Sequence, residues 1–384
     1  MRDGTEGLLV TVADIIALPA FKNVELAAPC EGAERREVRN VGILDCPPDY
    51  NEYSVYVAGG RTPPHHPGSS SRMRTMLPRD VAAIAVKTVY EPPISDAVRK
   101  ESTARGVPLY LYDGAYHETV AYQSLDLLQR DRDELDKGKA LDELLTAHDG
   151  DRVRTRLSAL VGVTGSKLQC FAFALRAGDP CSFYAMLDSV SSGLGTVRDG
   201  CAIVESASVC RYRDHILAFV SYGSASSGGA AERRCIAVTS VEGSLHCGVS
   251  EAVHLCDGDL AIRQALAAAA SAQRHGEQLA RWSGLHLSAF ASAARYDRLF
   301  MSASELYRSM LAGYDDEHGT ELVRTAEALV NWHGDVKAIA EELHQHPNTV
   351  RYRMRKMKAV LGIPHEDNKV FINLLSLVFL PELG

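Results

Sequence analysis

The chain has 384 residues, too many for one ordinary domain and enough for two or three, each with its own core. With 46% hydrophobic and 23% charged residues it sits near globular averages, and no apolar run approaches the roughly 20 residues that span a bilayer. Its formal net charge of −8 excludes nucleic-acid binding by the surface at large, so any such binding has to be local.

Asp3, Glu6 and Asp14 interrupt the N-terminal stretch where a signal peptide needs a basic start and an apolar middle, so a cytoplasmic protein with no membrane partner is expected. Residues 1–118 read as α/β. VAAIAVKTV at 81–89 is a β-branched apolar run, PISDAVRKESTARG has helical periodicity, and VPLYLYDG reads as a second strand, which predicts a parallel crossover. AGGRTPPHHPGSSSRM, rich in Pro, Gly and Ser, reads as a loop, either a lid over a ligand or a tolerated insertion. Residues 119–150 form a charged helical stretch with Leu125, Leu128 and Leu135 at heptad-like spacing. It is either a connecting, dimerising helix or an amphipathic helix packed on its own domain.

Residues 151–285 read as α+β with a mainly antiparallel sheet. Strand candidates lie in KLQCFAFAL, GCAIVESASVC, HILAFVSYG and SLHCGVSEAV, a helix near 180–194, and the alanine-rich helix DLAIRQALAAAASAQRHG closes the segment. GVTGSK at 162–167 lacks both the spacing of a phosphate loop and a strand before it, so it reads as a turn. The nine cysteines form no C-x-x-C pair and read as reduced, mostly buried thiols. No metal site is expected: the pairs His65/His66 and His344/His346 lack Cys, Asp or Glu neighbours at ligand spacing. No nucleophile, base and orienting group can be singled out, and no cofactor is indicated.

Residues 286–384 are all-α. ELVRTAEALVN aligns Leu322, Ala326, Leu329 and Val330, and HGD breaks the helix. Asp335 then caps a helix whose Val336, Ile339, Ala340 and Leu343 recur at i, i+3, i+4 and i+7. After a short turn, His346 is the expected cap and Pro347 the first residue of the next helix, where Val350, Met354, Met357 and Leu361 make one apolar stripe. Two short helices, a tight turn and a small residue at Ala340 are the parts of a helix-turn-helix over 335–362.

Arg351, Arg353, Arg355, Lys356 and Lys358 concentrate positive charge on the second of these helices, in a segment, 319–384, whose acidic and basic residues balance at eight each. Asn348, Thr349, Arg351, Tyr352 and Arg353 are expected to meet base edges, and Arg355, Lys356 and Lys358 to meet phosphates. Glu341 and Glu342 lie near where the DNA backbone would pass. The final helix, KVFINLLSLVFL, is apolar almost all round and is expected to be buried, in the domain core or in a dimer interface.

GDVKAIAEELHQHPNTVRYRMRKMKAVLG resembles the C-terminal helix-turn-helix of the PucR/CdaR family of bacterial transcription regulators, with its His-x-His-x-Asn-Thr-x-Arg-Tyr-Arg run, and YDDEHGTELVRTAEALV resembles the segment before it. TVADIIALPAFKNVELAAP, VRNVGILDCP and VYVAGG resemble the PucR-type N-terminal domain, and LHCGVSEAVHLCDGDLAIRQALAAA resembles the end of the family's degenerate GGDEF-like middle domain. Pro347 departs from the pattern, standing where an Arg is common.

The resemblance implies a sensory domain over 1–118, a connecting helix over 119–150, a degenerate GGDEF-like domain over 151–285 and a DNA-binding helical domain over 286–384. The middle domain is expected to be catalytically dead, because SSGGAAERR lacks the acidic pair that would hold Mg²⁺. The expected function is sequence-specific DNA-binding transcription regulation without enzymatic activity, with double-stranded DNA, a small-molecule effector and a second copy of the chain as partners. The competing class is a nucleotide- or metabolite-processing enzyme whose helical tail only dimerises.

Overall fold

The structure, a computed structural model, describes residues 10–43, 54–58, 81–88, 95–146, 149–176, 183–223, 229–239 and 245–383. The Pro/Gly/Ser-rich loop with His65 and His66, and also Cys46 and Cys181, lie outside these residues. The chain divides into two compact units: Met1–His246 with Ala252–Ile262, and Cys247–Glu251 with Arg263–Gly384.

The first unit begins with α1 (Val12–Ile16), closed by a capping box between Thr11 and Asp14. A five-stranded sheet follows, in the order β1-β5-β4-β3-β2. It comprises β1 (Phe21–Ala28), β2 (Asn40–Ile43), β3 (Ser54–Ala58), β4 (Ala83–Lys87) and β5 (Leu109–Gly114). β2 to β5 run parallel and β1 closes the edge antiparallel to β5. Between β4 and β5 lies α2 (Asp96–Ala104), capped by Ser95, so the strand, helix, strand order expected there is present. β4 is buried along its whole length, as a strand flanked on both sides by parallel neighbours requires.

α3 (His117–Leu145) runs 29 residues and packs against β2 and, further along, against β7 (Val204–Tyr212) of the second sheet. The heptad leucines mark its buried face only in part: Leu128 is buried and Leu135 half-buried, but Leu125 is 45% exposed, while Asp131 and Glu134 are buried. α4 (Gly150–Val161) follows and ends at Gly162, whose φ of 67° is the left-handed conformation that glycine adopts without strain. GVTGSK is therefore the turn between α4 and β6 (Lys167–Leu175).

The second sheet of this unit is antiparallel, with β8 (His215–Tyr222) between β6 (Lys167–Leu175) and β7 (Val204–Tyr212), and the short β10 (Val253–His254) beside β6. α5 (Phe183–Gly200) and α6 (Gly229–Thr239) pack on each other, and α5 also on β7. The alternating Leu168 to Ala174 and Ile216 to Tyr222 stretches are buried throughout. The seven cysteines among the described residues form no disulfide. Burial pushes the Cys210 thiol far up, and burial with Cys201 nearby pushes Cys235 up to about 12, which keeps both protonated and unreactive at neutral pH.

In the second unit β9 (Leu245–Val249) pairs in parallel with β11 (Leu279–Arg281) over Cys247–Val249. The alanine-rich α7 (Gly258–His275) lies so close to β9 that a Cβ on Gly248 would strike the backbone of Ala265 and Ala269. α8 (Leu287–Tyr296), α9 (Arg298–His318), α10 (Leu322–Asn331), α11 (Val336–Glu342), α12 (Pro347–Val360), α13 (Asn368–Val378) and α14 (Leu380–Leu383) complete the unit. One core joins Leu311, Leu322, Ala326, Leu329, Ile339, Val350, Met357, Phe371 and Leu375.

α13 is not buried all round. It contributes Phe371, Leu375 and Val378 to that core, packing mainly on α10, α9 and α14, and leaves Val370 and Leu377 about half exposed. No described helix is long and apolar enough to cross a membrane.

Candidate nucleic-acid interface

The two helices of interest are held by caps read directly from the sequence. Asp335 accepts from the amides of Lys337 and Ala338 at the start of α11, and Nδ1 of His346 accepts from the Asn348 amide at 3.2 Å at the start of α12, with Pro347 in its first turn. α11 ends with His344 in the left-handed region (φ 53°). The Gln345 amide donates to Ala340 O at 2.8 Å and the His344 amide to Glu341 O at 3.2 Å, which satisfies carbonyls the helix end would otherwise leave open.

Upstream, Asp315 on α9 accepts from the Leu322 and Val323 amides at 2.7 and 2.9 Å, placing a carboxylate at the positive end of α10. The sequence reading missed this cap because the carboxylate sits seven residues before the amides it serves.

Ile339, Ala340, Leu343, Val350, Met354, Met357 and Leu361 are buried and Val336 is half-buried, so the apolar stripes of α11 and α12 meet as expected. Ala340 on α11, 4% exposed, lies in the same core as Val350 and Met354 of α12, where a small side chain allows close crossing.

The cations of α12 do not all face outward. Lys358 is 8% exposed, and its ammonium donates to Glu366 O at 2.7 Å and Asn368 Oδ1 at 2.8 Å while lying over the Phe371 ring. It follows Met357 on the inner face and fastens the segment that enters α13, so the phosphate contact expected of it is corrected to an internal one. Arg353 is also turned aside: its guanidinium donates to Thr325 Oγ1 and Glu321 Oε2, each at 3.0 Å, and its side chain is 15% exposed.

What remains on the outer face is Asn348, Arg351, Tyr352, Arg355 and Lys356, spaced by three, one, three and one residues. These positions form one stripe along roughly 12 Å of helix. Arg351 donates to Asn348 Oδ1 at 3.1 Å, Tyr352 is 58% exposed, and Arg355 is exposed. Lys356 lies 4.8 Å from the centre of the Tyr314 ring, and its hydrogen bond with the Tyr314 hydroxyl raises its ammonium above the usual lysine range, so it stays charged. Thr349 is half-buried beside the cap. Of the two acids on the preceding helix, Glu342 accepts from Trp332 Nε1 and Glu341 is exposed.

The first unit contains a different kind of charged cluster. Arg211 on β7 pairs with Asp131 of α3 at 2.5 Å with both side chains at most 2% exposed, and its amide donates to Glu134 Oε2 at 2.7 Å. Tyr184 of α5 also donates to Asp131, and burial together with that bond pushes its phenol far up. Next to it a cavity of about 410 Å³ is lined by Leu18, Gln123, Leu127, Arg130, Tyr184 and Asp188. Among the described residues no group of three or more His, Cys, Asp or Glu side chains is placed to hold a metal.

Residues 322–377 match the family model described as the PucR C-terminal helix-turn-helix domain. No curated protein matches the chain. Among solved structures, the chain is similar to the crystal structure of a regulator of polyketide synthase expression from Bifidobacterium adolescentis. The two are 18% identical, with a TM-score of 0.34 over 65% of this chain and 94% of that one. The chain thus carries a PucR-type C-terminal helix-turn-helix, a DNA-binding domain of transcription regulators, over the same residues whose motifs resemble the PucR/CdaR family.

Proposed function

We propose that this chain is a sequence-specific DNA-binding transcription regulator that responds to a small-molecule effector. The observation that carries the reading is the outward stripe of Asn348, Arg351, Tyr352, Arg355 and Lys356 on a capped helix of a PucR-type helix-turn-helix. In this reading α12 enters the major groove with its first turn, where Arg351 and Asn348 present donors and acceptors matched to base edges. Tyr352, Arg355 and Lys356 contact the sugar-phosphate backbone. Arg353 and Lys358 serve by holding α12 to α10 and to the segment before α13.

The same proposal assigns effector sensing to residues 1–118 or to their junction with the residues that follow, α3 to transmission, and residues 151–285 to a degenerate GGDEF-like domain without catalysis. The 410 Å³ cavity beside Arg130 and Tyr184 is in the size range of small-molecule sites and is the effector site this reading favours. Two copies of the chain read two half-sites.

The test is selection of bound duplexes from a random pool by the full chain, at fixed salt. The expected result is enrichment of a two-fold related sequence, with the Arg351→Ala chain losing discrimination at one position per half-site. A pool left unenriched, or enriched identically by Arg351→Ala and Arg355→Ala chains, would contradict the reading.

A further inference from the structure

α9 carries two faces. One, with Ser304 and Leu311 buried and Tyr307 and Tyr314 packed on the core, belongs to the helical domain. The other is exposed: Leu299, Ala303, Leu306, Met310 and Gly313 recur at four, three, four and three residues and are uncharged until Glu317 follows at the next step of four, with Ser302, Glu305 and Ser309 along one side. Leu299 is 81% and Leu306 58% exposed. Single exposed leucines need no explanation, but an aligned seam of about 21 Å at coiled-coil spacing does.

Gly313 gives an independent indication. It sits inside a 21-residue helix, where glycine costs about 1 kcal/mol relative to alanine. Its backbone is helical, and a Cβ added there would meet nothing within 4 Å, so the fold of the single chain does not call for a glycine.

We propose that a second copy of the chain covers this face, the two α9 helices packing antiparallel about a two-fold axis near Leu306. That axis sets Leu299 opposite the second copy's Gly313 and Met310 opposite its Ser302, large against small along the seam, with Leu306 meeting its own copy at the centre. The ends agree in charge. Arg298 flanks the seam at the start of α9 and Asp316 flanks it on the same side at the end, both exposed, so the antiparallel arrangement brings each Arg298 alongside the second copy's Asp316. A parallel pair would stack Leu299 on Leu299 and gather the acidic ends together. Opposed helix dipoles favour the same arrangement.

One helix pair is a small interface, so the association is reversible and concentration-dependent, and two half-sites on one duplex reinforce it. Only that last consequence rests on the DNA-binding reading; the pairing itself is measurable without DNA.

The experiment is sedimentation of the full chain over a dilution series, with circular dichroism to check folding. The wild-type chain is expected to reach twice the mass of the Leu306→Glu chain. Gly313→Leu, which meets open space in its own fold, keeps or raises the thermal midpoint yet abolishes association, because it fills the place of the second copy's Leu299. Arg298→Glu and Asp316→Arg each weaken association about tenfold through the two symmetric pairs, and the double exchange restores it.

A wild-type chain that stays monomeric throughout overturns the proposal, as do folded Leu306→Glu and Gly313→Leu chains that keep the wild-type mass, or a double exchange no better than the single ones. A chain that pairs in this way but enriches no duplex would leave the pairing standing and remove the DNA-binding reading alone.

Discussion

α3 and α12 are both charged helices, and they use their charge in opposite directions. α3 turns Asp131 and Glu134 inward onto Arg211 of β7, so its most consequential ionic groups never meet solvent. α12 turns apolar Val350, Met354 and Met357 inward and leaves Arg351, Arg355 and Lys356 outside with no carboxylate bound to them among the described residues. Charge density along a sequence therefore does not locate a binding surface by itself. What separates the helices is whether the fold turns the charge inward onto acceptors, and α12 shows the distinction within its own length, since Arg353 is held by the Glu321 carboxylate and Lys358 is buried on Glu366 O and Asn368 Oδ1, whereas Arg351 and Arg355 stay exposed.

The largest effect expected from this contrast is at the buried cluster. Arg211→Met leaves the Asp131 carboxylate buried without its guanidinium, which should cost about 3–5 kcal/mol in denaturant unfolding of the first unit. Adding Asp131→Leu to it should recover much of the loss, because two apolar groups can replace a buried pair. A single substitution costing under about 1 kcal/mol would show that the cluster is solvated and would dissolve the comparison.

On α12 the corresponding truncation should act on binding and spare folding. Arg351→Ala is expected to cost about 1–3 kcal/mol in affinity for the selected duplex and to relax sequence preference at one position, with the unfolding midpoint unchanged. Lys358→Ala should do the reverse, lowering stability by about 1–3 kcal/mol through two lost charge-assisted hydrogen bonds. Asp335→Ala, which removes only the cap of α11, is expected to lower stability by about 1 kcal/mol, read from the same unfolding curves.

Much of the helical domain was legible in the sequence because its determinants are local. The caps at Asp335 and His346, the proline at the first turn of α12 and the four-and-three spacing of Val350, Met354, Met357 and Leu361 all act within one or two turns, and the helices begin where those signals stand. The strands and crossover of 81–114 were legible for the same reason. Partners distant in sequence were not.

Arg353 reads as a surface cation until Glu321 and Thr325 are brought beside it from 32 and 28 residues away. Lys358 reads as a phosphate contact until the turn at Glu366 folds back over its ammonium. In α3 the periodicity of leucines marked only part of the buried face, since Leu128 is buried and Leu125 is not, and a hydrophobic pattern cannot register the stretch built on Asp131 and Glu134, whose burial depends on an arginine 80 and 77 residues onward.

The most direct test of the account is the salt dependence of duplex affinity for four chains: wild type, Arg355→Ala, Lys356→Ala and Lys358→Ala. Each side chain that touches a phosphate contributes about 0.9 to the slope of log affinity against log salt. The outward stripe predicts that Arg355→Ala and Lys356→Ala each flatten the slope by about that amount while Lys358→Ala leaves it at the wild-type value. Slopes unchanged by Arg355→Ala and Lys356→Ala, or flattened by Lys358→Ala, would contradict it.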